Sequence, residues 1–383
     1  MDLVLLLGAT PYFCFVVIII SGLLFRQKLS NEYDQDLPFV SVVIAARNEE
    51  KNIANLLDDL ITQTIDKNNF EVIISNDRSE DETGKIINEY SRKYEFIKYI
   101  QITKKKDMAS KKYALEQAIK DSKGEIILAT DADCRVSKNW AISMANLVNK
   151  TNKVVIGYSK IKSKTTLINE IQKIDFLGIM ASNGGLLTNG IICSGSGQNL
   201  AYKKEDFFRI GGFEPVKDKE SGDDMYIVQA ISKLKGAVFN YDENSFVSTS
   251  PKKTILGYIN QRIRWSSNSK LTLFTSPLFF CFLVSAFIAN INILISLIIS
   301  LRITSILFFI KLLLEAIDAT IEGMRESGKS KPIFLKMSPD EKNSTIEDII
   351  DVSLSKKLDA IIVSNTTIER PKSLKNNYKY ENN

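Results

Sequence analysis

No charged residue occurs from Leu3 to Phe25, and a helix of that length crosses a hydrocarbon core of about 30 Å. Pro11 kinks such a helix without forbidding it. From Pro38 to about Val155 the pattern changes to short apolar runs separated by amphipathic stretches. Residues 40–46 read as a buried strand, and Ile53, Leu56, Leu57, Leu60 and Ile61 follow at i, i+3, i+4, i+7 and i+8, a single apolar helix stripe. Further strands are predicted over 72–75, 97–102 and 126–130, with a helix over 109–119. This alternation is that of an open α/β sheet, whose ligands collect beyond the carboxyl ends of the strands. A second apolar region runs from Leu271 to Leu301 and on past Arg302 to Ile310. It predicts either one long tilted span or a hairpin turning near Asn290 and Asn292. After Leu313 a soluble α/β pattern returns, and 372–383 is a polar stretch without core-forming residues. The expected organisation is an N-terminal transmembrane anchor over 1–27, a large α/β domain over 36–270, a transmembrane region over 271–312, a separate α/β piece over 313–371 and a disordered tail over 372–383.

Charge orients this arrangement. Arg26 and Lys28 follow the first apolar run and only Asp2 precedes its bulk, so the positive-inside bias places the large domain in the cytoplasm. A cleaved signal peptide fits less well, because no basic segment precedes the run and no small-residue cleavage site follows it. The 50 basic and 45 acidic residues of the 383 are intermixed, leaving a net charge of +5, which suits an anionic membrane surface and leaves no nucleic-acid footprint.

Composition then narrows the chemistry. There is no histidine, which removes Ser-His and Cys-His nucleophilic catalysis and histidine metal sites. Cys14, Cys134, Cys193 and Cys281 are too dispersed to read as a disulfide framework or a zinc site. Acid-base work falls to carboxylates, and any metal to oxygen ligands.

Four clusters carry such groups. Asp131-Ala132-Asp133 stands directly after a predicted strand. Carboxylates at i and i+2 on extended backbone project to one side, as one hard divalent cation and a bridged diphosphate require. Asn76 to Thr83 also leaves a strand end. Helix capping explains Asp81, whereas Asp77 is left to accept hydrogen bonds from a base or ribose. Ala45-Ala46-Arg47-Asn48-Glu49 leaves the first strand the same way, and Lys111 or Lys112 on the following helix can approach a phosphate. Gly222-Asp223-Asp224 opens an amphipathic helix and offers a carboxylate pair, one member acting as a base while the other tunes it; the helix dipole alone also favours acids there. In Gln261-Arg262-Ile263-Arg264-Trp265, Gln261, Arg264 and Trp265 share one helix face, offering positive charge to a leaving diphosphate and a flat wall to a sugar. Arg262 fits better as an arginine snorkelling at a membrane interface.

Taken in order, PFVSVVIAARNEE, SNDRSEDET, ASKKYALEQAI, ATDADC, GSGQNLAYKKEDFFRIGGFE, SGDD and QRIRW resemble the inverting family 2 glycosyltransferases of GT-A fold, including the membrane-bound synthases with a Q-x-x-R-W motif, over about 38–270. The resemblance implies a mixed α/β sheet with flanking helices and transfer from a nucleotide-diphospho-sugar, by default UDP-linked, to a lipid or glycan acceptor at the cell (inner) membrane. It implies that Asp77 contacts the base, that Asp131 contacts ribose or phosphate, that Asp133 holds Mn2+ or Mg2+, and that Asp224 is the base beside Asp223. Ala45, Arg47, Glu49 and Lys111 fall in the nucleotide-sugar part, and Gln261, Arg264 and Trp265 border the acceptor and diphosphate. Gly195 to Asn199 match the floor of the acceptor pocket. Ser110 stands where many relatives have glycine, and Asn76 where many have aspartate. A binding module that keeps nucleotide-sugar affinity without turnover is the competing expectation.

From about Leu313, LLLEAIDATIEGMRESGKSKPIFLKMSPD and LDAIIVSNTTIERP resemble a central piece of the class 2 dihydroorotate dehydrogenases, flavin-binding β/α barrels. The resemblance aligns Lys336 with a flavin contact and Asn365, before Thr366 and Thr367, with a substrate contact. A partial barrel leaves strand edges unpaired and cannot enclose flavin, so no flavin activity is expected.

Overall fold

The computed structural model describes residues 2–26, 33–103, 107–267, 269–299, 310–312, 315, 334–337 and 360–363. The chain divides into two compact units, Met1–Asn292 and Ile293–Asn383.

In the first unit a seven-stranded sheet has the order β3-β2-β1-β4-β8-β6-β9. Strands β1 (Val40–Ala46), β2 (Phe70–Asp77), β3 (Ile97–Ile102) and β4 (Ile126–Ala129) run parallel. Strand β8 (Leu200–Lys203) is antiparallel to β4 and to β6 (Val154–Gly157), and β9 (Ala237–Asn240) is parallel to β6. Every residue of β2 is buried, as a strand covered on both faces requires. On one face, helix α2 (Ile53–Ile61) buries the predicted stripe of Ile53, Leu56, Leu57 and Leu60 in a cluster with Val42 and Ile44. On the other, α4 (Ser110–Asp121) packs Leu115, Ala118 and Ile119 with Val43 and Ile73. Alternate residues of one strand thus feed two cores. Strands β1, β2 and β3 end level, with Ala46 opposite Asn76 and Asn76 opposite Gln101, and β4 stops earlier, Ala129 opposite Val43, so the loops gather along one edge.

The remaining elements enclose that edge. A three-stranded sheet of β5 (Arg135–Val136), β10 (Val247–Thr249) and β7 (Ser159–Ile161) flanks it. Helices α3 (Thr83–Lys93), α5 (Trp140–Thr151), α6 (Leu167–Thr188), α7 (Lys204–Arg209), α8 (Asp223–Lys235) and α9 (Ile255–Ser266) complete the domain. The first helix, α1 (Asp2–Leu24), lies on α6 at a crossing where a Cβ on Gly185 would meet the Ile19 carbonyl oxygen at 2.4 Å. Asn189 closes the contact by donating to the Ile18 carbonyl at 2.8 Å.

Helix α10 (Ser269–Thr275) precedes α11 (Pro277–Ile299). Phe282 of α11 packs against Tyr12 and Phe15 of α1, with ring centroids 6.4 and 5.5 Å apart. Helix α11 continues unbroken through Asn290 and Asn292, so the chain does not turn at these two residues. Among the described residues, Pro277–Leu294 is the one helical stretch long and apolar enough to cross a membrane, and Ala9–Leu24 is a shorter apolar helix. In the second unit β11 (Phe334–Met337) and β12 (Ala360–Val363) pair in parallel, Lys336 opposite Ile362. Arg302, Asn365, Thr366, Thr367 and the tail over 372–383 lie outside the described residues.

Candidate active site

The loops after β1 and β2 are laced together. Asn48 N–H donates to Ser79 Oγ at 3.0 Å, Glu49 N–H to Thr83 Oγ1 at 2.7 Å and Glu50 N–H to Asp81 Oδ2 at 3.2 Å, while Glu80 N–H donates back to Asn48 Oδ1 at 3.0 Å. Asn48 and Arg78 take left-handed backbone, φ 56° and 53°, which turns each chain sharply off its strand end. Asp77 is therefore delivered, buried, to the mouth between the strands. Arg78 binds it at 2.9 Å and also donates to Ser110 Oγ at 2.6 Å, and Arg47 approaches it at 3.7 Å. Asn76 donates to Gln101 at 2.8 Å and accepts from Ser79, so it braces the turn.

Asp131 and Asp133 follow β4. Lys111, in the first turn of α4, reaches Asp131 Oδ1 at 2.8 Å and Asp223 Oδ2 at 3.5 Å. Burial alone would lower the Lys111 pKa, but the two carboxylates outweigh it and hold the ammonium well above its ordinary value. Burial and then the neighbouring Asp131 raise Asp133, and burial raises Glu49.

Asp223 and Asp224 sit in the first turn of α8 behind the left-handed Gly222, φ 84°. Burial works to raise Asp223, yet Lys111 and Lys112 hold it below its ordinary value. Asp224, pressed by burial and by the charge of Asp223, is pushed up to about 6, although it accepts from Gly197 N–H at 2.9 Å and Met225 N–H at 2.7 Å. The pair is thus split into an ionised member and one poised near neutrality, the separation that acid-base work needs. Lys112 turns away from the crevice: it is buried and donates to the carbonyls of Lys219 and Ser221, at 3.2 Å for the latter, fixing the loop that carries the pair.

All twelve residues singled out from the sequence, Ala45, Arg47, Glu49, Asp77, Lys111, Asp131, Asp133, Asp223, Asp224, Gln261, Arg264 and Trp265, line one open crevice of about 510 Å³. Arg262 departs from expectation. Instead of snorkelling it turns inward, pairs with Asp175 of α6, and stacks its guanidinium 4.3 Å from the Trp265 ring and 4.8 Å from that of Tyr258. An ion pair and two ring faces within reach outweigh an exposed position for it. Arg78, Lys252 and Phe176 join the site without having stood out in the sequence, whereas Gln198 falls within the expected Gly195 to Asn199 stretch. Gln198 Oε1 is buried on the wall without a hydrogen-bond partner among the described residues; Lys252 lies in a loop with no periodic signal, whereas the adjacency of Arg78 to Asp77 was visible.

Residues 41–211 match the family described as glycosyl transferase family 2. The chain is 29% identical to the probable glycosyltransferase YdaM of Bacillus subtilis over 241 residues, 62% of this chain and 56% of that protein. It is 24% identical to a poly-beta-1,6-N-acetyl-D-glucosamine synthase of Staphylococcus epidermidis over 252 residues, 63% of this chain and 57% of that one. The chain therefore spans little more than half the length of these curated relatives. The fold is that of the mannosyltransferase PcManGT from Pyrobaculum calidifontis, solved with GDP-Man and Mn2+, at TM-score 0.54 and 18% identity over 80% of this chain and 92% of that one. Its mixed α/β sheet with flanking helices is the GT-A arrangement of that structure, and the stretch similar to family 2 glycosyltransferases, residues 41–211, holds the strands whose ends carry Asp77, Asp131 and Asp133.

Proposed function

We propose that this protein is a membrane-bound enzyme that transfers a sugar, with inversion, from a nucleotide-diphospho-sugar to a lipid or glycan acceptor, using Mn2+ or Mg2+. One observation carries the reading: carboxylates from three strand-end or helix-start loops, Asp77, Asp131, Asp133 and Asp224, open onto the same crevice as Gln261, Arg264 and Trp265. Separate loops have no structural need to converge their acids, and the burial that raises Asp133 and Asp224 is a cost that substrate and cation would offset.

The residues present suit a divalent cation. Asp131 and Asp133 are paired hard oxygen donors, and the mutual repulsion that helps raise Asp133 is what a cation relieves. Among the described residues no three His, Cys, Asp or Glu side chains cluster as a metal cage, so the diphosphate would supply further oxygens. When bound, the cation supplies charge neutralisation to the departing nucleoside diphosphate.

The chain's own residues do the rest. Asp77, ordered by Arg78, receives the base or ribose; Ala45, Arg47 and Glu49 line the nucleotide end. Arg264 and Lys111 add positive charge for the diphosphate. Asp224 takes the proton of the acceptor hydroxyl during in-line attack, and Asp223 stays ionised beside it. Trp265 and Gln198 form the wall against which the acceptor rests. UDP-linked donors are the first to test; the uridine-free alternative is GDP-linked.

Membrane attachment rests on the apolar Pro277–Leu294 helix and on α9, whose Ile255, Leu256, Ile259 and Ile263 are exposed on an amphipathic helix just ahead of it. Arg26 after the first helix favours a cytoplasmic catalytic domain at the inner membrane. The stretch after Leu313 is read as a remnant of dihydroorotate dehydrogenase sequence from its residues alone, and β11 and β12 contribute one parallel strand pair to it. Detergent-solubilised protein with Mn2+ and a panel of nucleotide sugars tests the proposal: release of the nucleoside diphosphate from one donor, abolished in Asp224→Asn, supports it, and no release from any donor counts against it.

A further inference from the structure

Lys111 stands where two functions compete. Its ammonium is 2.8 Å from Asp131 and 3.5 Å from Asp223, so it bridges the acid that would share a cation with Asp133 and the acid beside the base. Gly197 borders both groups: a Cβ there would stand in ordinary contact with Lys111 Nζ at 3.5 Å and Asp223 Oδ2 at 3.7 Å. Lys112 has no freedom to replace it, being buried against two loop carbonyls.

We propose that Lys111 is an internal counter-ion that occupies the anionic centre until a nucleoside diphosphate draws it off Asp131, making cation binding and nucleotide binding mutually dependent. The inference rests on the active-site reading above. A divalent cation arriving alone meets Asp131 already neutralised and a fixed positive charge within contact distance of it, and like charges at short range in a partly buried crevice repel strongly. A diphosphate arriving alone meets a lysine held by two carboxylates. Together they exchange partners: phosphate oxygens take the ammonium, and Asp131 turns to the cation. Because linkage is reciprocal, each ligand tightens the other by the same factor, and couplings of this kind are about 5–150-fold.

The test uses full-length protein in detergent, with Mn2+ binding followed by electron paramagnetic resonance and nucleotide binding by calorimetry, using uridine or guanosine diphosphate. Wild type is expected to bind Mn2+ at least about tenfold more tightly with one diphosphate present. Lys111→Met is expected to bind Mn2+ alone about tenfold more tightly than wild type and to show a nucleotide enhancement smaller by about the same factor, what remains being the diphosphate's own oxygens on the cation. Lys111→Gln, checked for an unchanged melting curve, serves as the second variant. Undiminished coupling in both variants, or no gain in Mn2+ affinity without nucleotide, overturns the counter-ion while leaving the active site intact. Mn2+ binding that ignores Asp133→Asn overturns both.

Discussion

The Asp224 carboxylate accepts a hydrogen bond from the Gly197 amide at 2.9 Å, joining the first turn of α8 to the loop that leads into β8. That contact holds the proposed base on the acceptor side of the crevice. Asp224→Asn keeps a side-chain oxygen for the amide but no basic lone pair of comparable strength. Its expected effect is a loss of turnover of about 10²–10⁴-fold with donor affinity preserved, read by product formation and by calorimetry with the donor.

Titration of the same group sets a pH dependence. Its pKa lies at about 6 against an ordinary 3.8, so turnover should rise with pH through about 6. The stability sign is opposite: a raised carboxyl contributes stability below its ordinary pKa and loses it as pH climbs past the folded value. Asp224→Asn should therefore melt higher than wild type at pH 8, and the difference should vanish near pH 4. Thermal denaturation at both pH values checks it, and equal melting temperatures at pH 8 would contradict the burial of a charged Asp224.

Lys112 acts through structure. Lys112→Met removes the donor to the half-buried Lys219 and Ser221 carbonyls, at the lower end of about 1–3 kcal/mol. Lower stability together with a fall in kcat is expected, and partial recovery in Lys112→Arg, because the loop carries Asp223 and Asp224.

Arg262 orders Trp265, on the wall proposed for the acceptor. Asp175→Asn weakens the ion pair that holds Arg262 over Trp265, and Arg262→Leu removes the stack, worth about 0.5–2 kcal/mol. Both should raise the acceptor KM while leaving donor affinity unchanged, and indole fluorescence should report the altered Trp265 surroundings.

The α1 crossing is tight enough to fail by a single methyl group. Gly185→Ala puts a Cβ 2.4 Å from the Ile19 carbonyl oxygen, and the overpacking should cost about 1–3 kcal/mol. A cysteine pair placed across α1 and α6 should cross-link less efficiently in that variant.

What could be read in advance follows from which interactions are local. The stripe Ile53, Leu56, Leu57 and Leu60 specifies a helix on one sheet face, and Asp131-Ala132-Asp133 after an apolar run specifies acids at a strand end, so both were visible in order along the chain. Strand limits drifted because sheet neighbours, not local pattern, extend β2 to Phe70–Asp77 beyond the expected 72–75. The small sheet of β5, β10 and β7 was missed: two- and three-residue strands leave no periodicity, and their partners are distant in sequence. Adjacent lysines 111 and 112 point to different destinies only once α4 is packed. The inward turn of Arg262 depends on Asp175, 87 positions away, a pairing no local pattern encodes.

The most direct test of the central claim is nucleoside diphosphate release from a nucleotide sugar by purified protein, measured with Mn2+, with chelator, and in Asp133→Asn and Asp224→Asn. The account predicts release in wild type with Mn2+ that is lost under the other three conditions. Release that persists at the wild-type rate in both variants would contradict it.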